Sequence, residues 1–119
     1  MPDAYVLVRS DDLRPGESLV GYISQVDATL ERFGATILVQ NFPAEVPVGE
    51  WNGFITLLRF PSLEGACEWY DSPEYQAIRH LRTDSSAPTD VLVEGVPEGH
   101  RSVDLLTQFG LMPGDGSAG

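Results

Sequence analysis

The sequence predicts an α+β domain assembled from two strand–helix–strand halves. Three observations carry that prediction. A β-rich run at Ala4–Arg9 is followed by a helical stripe of apolar residues and then by a second β-rich run at Ala35–Gln40. The same plan recurs between Phe54 and Glu94. A chain of 119 residues also has the length of one ordinary domain, and at that size it buries about two-thirds of the surface its unfolded form exposes.

The elements follow in order. Ala4-Tyr5-Val6-Leu7-Val8-Arg9 runs into Ser10-Asp11-Asp12, a strand ending in a turn. Pro15 and Gly16 open a segment in which Leu19, Tyr22 or Ile23, Val26, Leu30 and Phe33 fall on one helical face, and Gly34 sits where a helix ends in the left-handed conformation. Ala35–Gln40 is the second strand. Asn41 to Gly49, with two prolines, reads as a loop or an irregular hairpin arm. Phe54–Phe60 has few polar positions, which suits a central strand covered on at least one face. Ser62 is placed to cap a helix over Leu63–Tyr70. Ser72-Pro73-Glu74 supplies cap, first-turn proline and early acid for a helix reaching about Arg82. Thr89–Glu94 is the fourth strand.

The order β-α-β then β-α-α-β is that of a ferredoxin-like protomer, an antiparallel four-stranded sheet with its helices on one face. The other face then needs a cover, and no further helices remain to provide it. A second copy in a two-fold homodimer is the economical solution. Residues 1–96 are expected to form this domain and 97–119 a C-terminal extension. Val103, Leu105, Leu106 and Phe109 give the stretch from His100 to Phe109 enough apolar surface to dock. It is expected to lie across the dimer, over the mouth of a pocket, or along an edge. Pro113–Gly119 is Gly-rich and expected to be flexible.

Composition narrows the chemistry. The formal charge of −11 opposes phosphate backbones, so no nucleic-acid partner is expected. No apolar run approaches the roughly 20 residues of a membrane helix. Met1-Pro2-Asp3-Ala4 lacks a basic segment followed by an apolar stretch, so a cytoplasmic protein is expected. All seven positive residues are arginine, which removes Schiff-base lysine chemistry and the phosphate-cradling lysine of a P-loop. Cys67 is the only cysteine, which rules out an intrachain disulfide and a multi-cysteine metal site. With no H-x-H, H-E-x-x-H, C-x-x-C or glycine-rich dinucleotide loop, no metal and no cofactor are expected.

The second half carries a longer signature. Phe60-Pro61-Ser62-Leu63-Glu64, Ala66, Trp69-Tyr70, Ser72-Pro73-Glu74-Tyr75-Gln76, Leu81-Arg82 and Val91-Leu92-Val93-Glu94-Gly95-Val96 together resemble the small bacterial family called domain of unknown function 1330. That family belongs to the dimeric α/β-barrel superfamily. Gly34 and Gly49-Glu50-Trp51 fit the same pattern, and the resemblance covers residues 4–96. It implies a ferredoxin-like protomer whose sheets pack in a dimer, with a pocket between sheet and helices. Relatives in the superfamily include cofactor-free monooxygenases, cyclases, isomerases and dehalogenases, alongside haem-binding members. The family itself has no agreed activity, and the extension after Val96 departs from its usual length.

Several residues could carry chemistry. His80, in a helix beside Arg79 and Arg82, suits proton transfer near neutrality; a surface or dimer-contact histidine is the competing reading. His100 lies in the extension and is expected to be solvent-exposed. Arg79 and Arg82, three apart on a helix, could clamp a substrate carboxylate or pair with acids such as Asp71, Glu74 or Asp84. Arg9 and Arg59 each end an apolar strand and must reach solvent, an acid or a ligand, with Glu94 as a natural counterpart. Glu94 itself could act catalytically or serve only in an ion pair. Tyr22, Trp51, Trp69, Tyr70 and Tyr75 would wall a pocket if they point between helix and sheet, and otherwise form core. Tyr22 stands out among them as a polar tip on the apolar stripe of the first helix, able to polarise a carbonyl. Cys67, with no histidine at a useful spacing, is expected to be a buried, inert thiol.

The leading functional expectation is a cofactor-independent small-molecule enzyme, a cyclase, isomerase or lyase tailoring a biosynthetic intermediate. A non-catalytic ligand-binding or assembly module is the competing class, and a cofactor-free monooxygenase is a third.

Overall fold

The structure, a computed structural model, describes residues 2–111, and two of its helices begin where the sequence supplies serine caps. The order is β1 (Ala4–Asp11), α1 (Glu17–Glu31), β2 (Thr36–Asn41), β3 (Phe54–Phe60), α2 (Leu63–Asp71), α3 (Pro73–Ser85) and β4 (Ala87–Glu94). A 3-10 turn at Ser102–Asp104 and a short α4 (Leu105–Gln108) follow. The Ser62 hydroxyl accepts the Gly65 N–H at 3.0 Å and starts α2. Ser72 serves two helices. Its hydroxyl donates to the Trp69 carbonyl at 2.8 Å, closing α2, and accepts the Tyr75 N–H at 3.2 Å, opening α3. At the end of α1, Gly34 takes a φ of 69°, and the N–H groups of Gly34 and Ala35 return to the carbonyls of Glu31 and Leu30. That left-handed turn is what a glycine at this position permits.

The strands form one antiparallel sheet in the order β2-β3-β1-β4. This is the ferredoxin-like α+β fold, with β1 and β3 in the centre as the apolar run of β3 required. Ala4, Val6 and Val8 of β1 and Leu58 and Phe60 of β3 are buried toward the helices. Trp69, Tyr75, Phe60 and Val6 are the largest fully buried side chains, so the core sits at the Ala4–Phe60 end of the sheet. α2 covers that end. α1 packs along α3 and stands off the sheet, leaving Val20 and Ile23 exposed.

Three departures from expectation have local causes. β4 begins at Ala87, with Pro88 tolerated because an edge strand has one side free of ladder bonds. α3 continues to Ser85, and the hydroxyls of Ser85 and Ser86 satisfy the carbonyls of Leu81 and Arg82 at its end. β2 is broken by a bulge between Ile37 and Val39, and as an edge strand with no helix packed on it every one of its residues is exposed.

The C-terminal extension leaves the sheet at Gly95, whose N–H donates to the Asp3 carbonyl at 2.7 Å. A side chain there would meet that carbonyl at 2.8 Å and the Tyr5 ring at 2.9 Å. From Val96 to Leu111 no residue is buried. Of the three placements expected of this stretch, cover over a pocket mouth is not formed by the described residues of one protomer. The expected flexible end, Pro113–Gly119, lies outside the described residues.

Candidate functional site

The gap between α1 and the sheet is a cavity of about 390 Å³. Val6, Val8, Leu58, Val26, Leu30 and Trp69 make its apolar walls, while Ser10, Gln40 and Thr56 add hydroxyl and amide groups on the sheet side. A volume of this size falls in the usual range for small-molecule sites, which are mostly apolar with a few placed polar groups.

One connected polar chain enters this cavity. Tyr75 and Arg82 lie seven residues apart on α3, two helical turns, and so share a face. Arg82 forks onto Asp90 of β4, with Nη1 at 2.7 Å from Oδ2 and Nη2 at 2.6 Å from Oδ1. Its Nη1 also donates to the Tyr75 hydroxyl at 2.8 Å. The Tyr75 hydroxyl is 3.0 Å from that of Tyr22, which arrives from the apolar face of α1. The Arg82 and Asp90 side chains are only 7% and 15% exposed, so this bidentate pair is held largely out of water. Rings brace the chain. Trp69 and Tyr75 have centroids 4.2 Å apart, Tyr22 meets Tyr75 edge-on at 6.2 Å, and the Arg82 guanidinium lies 5.8 Å from the Tyr22 centroid.

Burial raises the Tyr22 phenol far above its ordinary pKa, and the charge Tyr75 would carry adds to this; Arg82 pulls the other way without prevailing. Burial likewise raises Tyr75 against the opposing pull of Arg82. For Arg82, burial disfavours the charge, but the hydrogen bonds to Asp90, together with the electrostatic pull of Tyr75, Tyr22 and Asp90, more than offset it, so the guanidinium stays charged.

An alkaline prediction follows. With both folded-state phenols raised above the ordinary value of about 10, the native protein keeps protons that the unfolded chain releases. The stability from this source is fully present below pH ~10 and is lost as pH rises from there toward the folded-state values. No lysine titration overlaps this window, because the chain has none. The phenolate absorbance of Tyr22 and Tyr75 is expected to appear together with loss of the circular dichroism signal, and Tyr22→Phe should flatten the decline of stability above pH ~10. Ionisation of Tyr22 and Tyr75 near pH ~10 in a still-folded protein would contradict this.

Of the residues singled out from sequence, Tyr22, Trp69, Tyr75 and Arg82 line the cavity. The others lie elsewhere. Tyr70 packs behind Tyr75 and accepts a hydrogen bond from Arg79 Nε at 2.8 Å, so the two arginines of α3 do not act as a pair. His80 is exposed on the outer surface of α3, and His100, in the extension, has Nδ1 3.8 Å from Asp104. Arg59 and Glu94 face opposite sides of the sheet, because Arg59 is in register with Tyr5 and Glu94 with Ala4. Arg59 instead approaches Asp3 at 4.0 Å. Arg9, also on the helix-free face, lies 3.1 Å from Asp11 and 5.4 Å from the Trp51 ring. Cys67 is exposed rather than buried, since α2 turns Ala66 and Trp69 inward and Cys67 away.

Two acids at the cavity escaped the sequence reading. Asp90 alternates with Pro88 and Leu92 on the helix-facing side of β4, and an acid at an inward position of a β-rich strand was the available signal. Asp27 of α1 lines the cavity while remaining exposed. Among the described residues no group of three or more His, Cys, Asp or Glu side chains is placed to hold a metal ion, and no helix is long and apolar enough to cross a membrane.

A family model described as domain of unknown function (DUF1330) matches residues 3–96. No curated protein matches the sequence. Among solved structures, a protein of unknown function from Rhodopseudomonas palustris is similar with a TM-score of 0.64 at 13% identity, over 81% of this chain and 84% of that one. A hypothetical protein from Arabidopsis thaliana gives 0.56 at 12% identity, over 84% and 91%. A proposed antibiotic biosynthesis monooxygenase from Caulobacter crescentus gives 0.54 at 12%, over 81% and 92%. Identities this low establish likeness of fold alone.

Proposed function

We propose that this chain, which belongs to the DUF1330 family, is a cofactor-independent small-molecule enzyme of cyclase, isomerase or lyase type. Its substrate, a biosynthetic intermediate, would bind between α1 and the sheet. The observation that supports this reading is the buried Arg82–Asp90 pair beside a mostly apolar cavity. A buried ion pair contributes little to stability compared with apolar residues of the same volume, so a fold has no need to place one there. A charged guanidinium joined to two phenols, next to a substrate-sized space, suits the stabilisation of charge developing on a substrate oxygen. Asp27 at the cavity is the carboxylate free to accept a proton, since no hydrogen bond or ion pair engages it among the described residues.

The test is proton exchange next to the carbonyl of 2-tetralone, an enolisable two-ring ketone, followed by NMR in deuterated water. The protein is expected to accelerate exchange saturably, and Tyr22→Phe to lower the rate by about 100-fold, the usual cost of one oxyanion donor. Exchange at the buffer rate despite bound ketone would replace this reading with that of a binding module. The position of His80 and Glu94 away from the cavity favours that second reading. A cofactor-free monooxygenase rests on the fold likeness to the Caulobacter protein alone.

The protein is further proposed to act as a homodimer through the sheet face that carries no helix. Leu7, Leu57, Val39, Val91 and Val93 lie on that face by the alternation of their strands. The division into a domain at 1–96 and an extension at 97–119, with Val103, Phe109 and Leu111 exposed among the described residues, fits docking of the extension against the second copy.

A further inference from the structure

The 3.0 Å contact between the two phenols leaves either oxygen free to donate, and the direction of the cavity chain follows from what each group can give and accept. Arginine donates and never accepts, so Arg82 Nη1 gives its proton to the Tyr75 oxygen. Tyr75 is fully buried, and its hydroxyl has two partners among the described residues, Arg82 and Tyr22. Its own proton therefore has a single acceptor, the Tyr22 oxygen 3.0 Å away. Leaving that proton unpaired in the core would carry the full penalty of an unsatisfied buried donor. Tyr22 thus accepts from Tyr75 and has its own O–H left over. The Tyr22 side chain lines the cavity and has no other hydrogen-bond partner among the described residues.

We propose that the Tyr22 hydroxyl is an oriented donor aimed into the cavity, and that the site takes a neutral ring compound presenting a carbonyl oxygen to it. The inference rests on the reading of the cavity as the ligand site. Each bond in a series polarises the next, so the Arg82 charge strengthens the Tyr22 donor through Tyr75, which acts as a positioning residue. Charge argues for a neutral ligand. Among the described residues Arg82 is the one cation lining the cavity, both oxygens of Asp90 already engage it, and Asp27 adds a second carboxylate. An anionic ligand would lose its hydration and gain no free cation.

Three probes sharing one skeleton test this: naphthalene, 2-acetylnaphthalene and 2-naphthoate. Affinities come from calorimetry and the carbonyl stretch of bound 2-acetylnaphthalene from infrared difference spectra. The ketone is expected to bind with its stretch moved to lower wavenumber, and the naphthoate to bind at least about tenfold more weakly. Tyr22→Phe should abolish the shift and weaken the ketone about five- to tenfold, with naphthalene unchanged. Tyr75→Phe should leave a smaller shift than the native protein, which a purely structural role for Tyr75 would not produce. Naphthoate binding as tightly as the ketone, or a carbonyl shift that is absent or survives Tyr22→Phe, would overturn the inference while naphthalene binding keeps the cavity reading. Failure of all three probes to bind would overturn both.

Discussion

Replacing Arg82 by methionine is expected to cost about 3–5 kcal/mol of folding stability, or roughly 10–20 °C in Tm. The loss does not measure what the ion pair contributes. It arises because the Asp90 side chain, only 15% exposed, would have both oxygens stripped of the donors that now lie at 2.6 and 2.7 Å. The Tyr75 hydroxyl would lose its donor as well. Removing both charges tests that account. The double variant Arg82→Met with Asp90→Leu is expected to recover most of the loss, since apolar residues of similar volume often replace a buried pair at little cost. The double variant also separates fold from function. It should stay folded and give a smaller carbonyl shift in bound 2-acetylnaphthalene, because Tyr22 keeps its hydroxyl but the series behind it no longer begins at a cation. Chemical denaturation of the three proteins decides the matter. A single variant within about 1 kcal/mol of the native protein would mean that Asp90 is solvated or repartnered in a way this geometry does not allow.

The parts of the fold that were legible in the sequence are those decided within a few residues. Ser62 and Ser72 cap helices because of what their hydroxyls reach three residues on, and Gly34 ends α1 because of its own backbone freedom. The strand at Phe54–Phe60 announced its central place by having few polar positions. The site was legible only where a residue sat on a helical stripe. Tyr75, Ile78, Arg82 and Ser85 are the buried face of α3, and the spacing that includes Arg82 leaves out Arg79 and His80. Treating Arg79 and Arg82 as a pair considered their separation and not that face. Asp90 needed the same step on a strand, namely asking which neighbours share its side. The cavity had no local signal. It exists because α1 leans on α3 and stands away from the sheet, a distance between elements that no single stretch of sequence encodes.

The helix-free face of the sheet supports the other large effect. Leu57 of β3 lies opposite Leu7 of β1, and Leu7 opposite Val91 of β4, so a row of apolar side chains crosses the sheet at its middle. Val91 and Val93 are 46% and 48% exposed, and no helix covers them. A face of this kind is either an interface or a liability in water. If a second copy covers it, a two-fold axis brings like residues near one another, and Leu57→Asp puts two carboxylates into a drying interface. Such like-charge burial costs several kcal/mol, and each 1.4 kcal/mol is tenfold in Kd, so the dimer should weaken by at least about 100-fold. The fold itself should survive, because Leu57 points away from the core formed by Leu58 and Phe60. Light scattering at micromolar concentration is therefore expected to give twice the chain mass of 13.0 kDa for the native protein and the single mass for Leu57→Asp, with matching circular dichroism. A native protein of 13.0 kDa would remove the dimer. A Leu57→Asp protein that stays paired would instead move the interface off this face, toward the apolar residues of the extension, Val103, Phe109 and Leu111, which are just as uncovered on their own protomer.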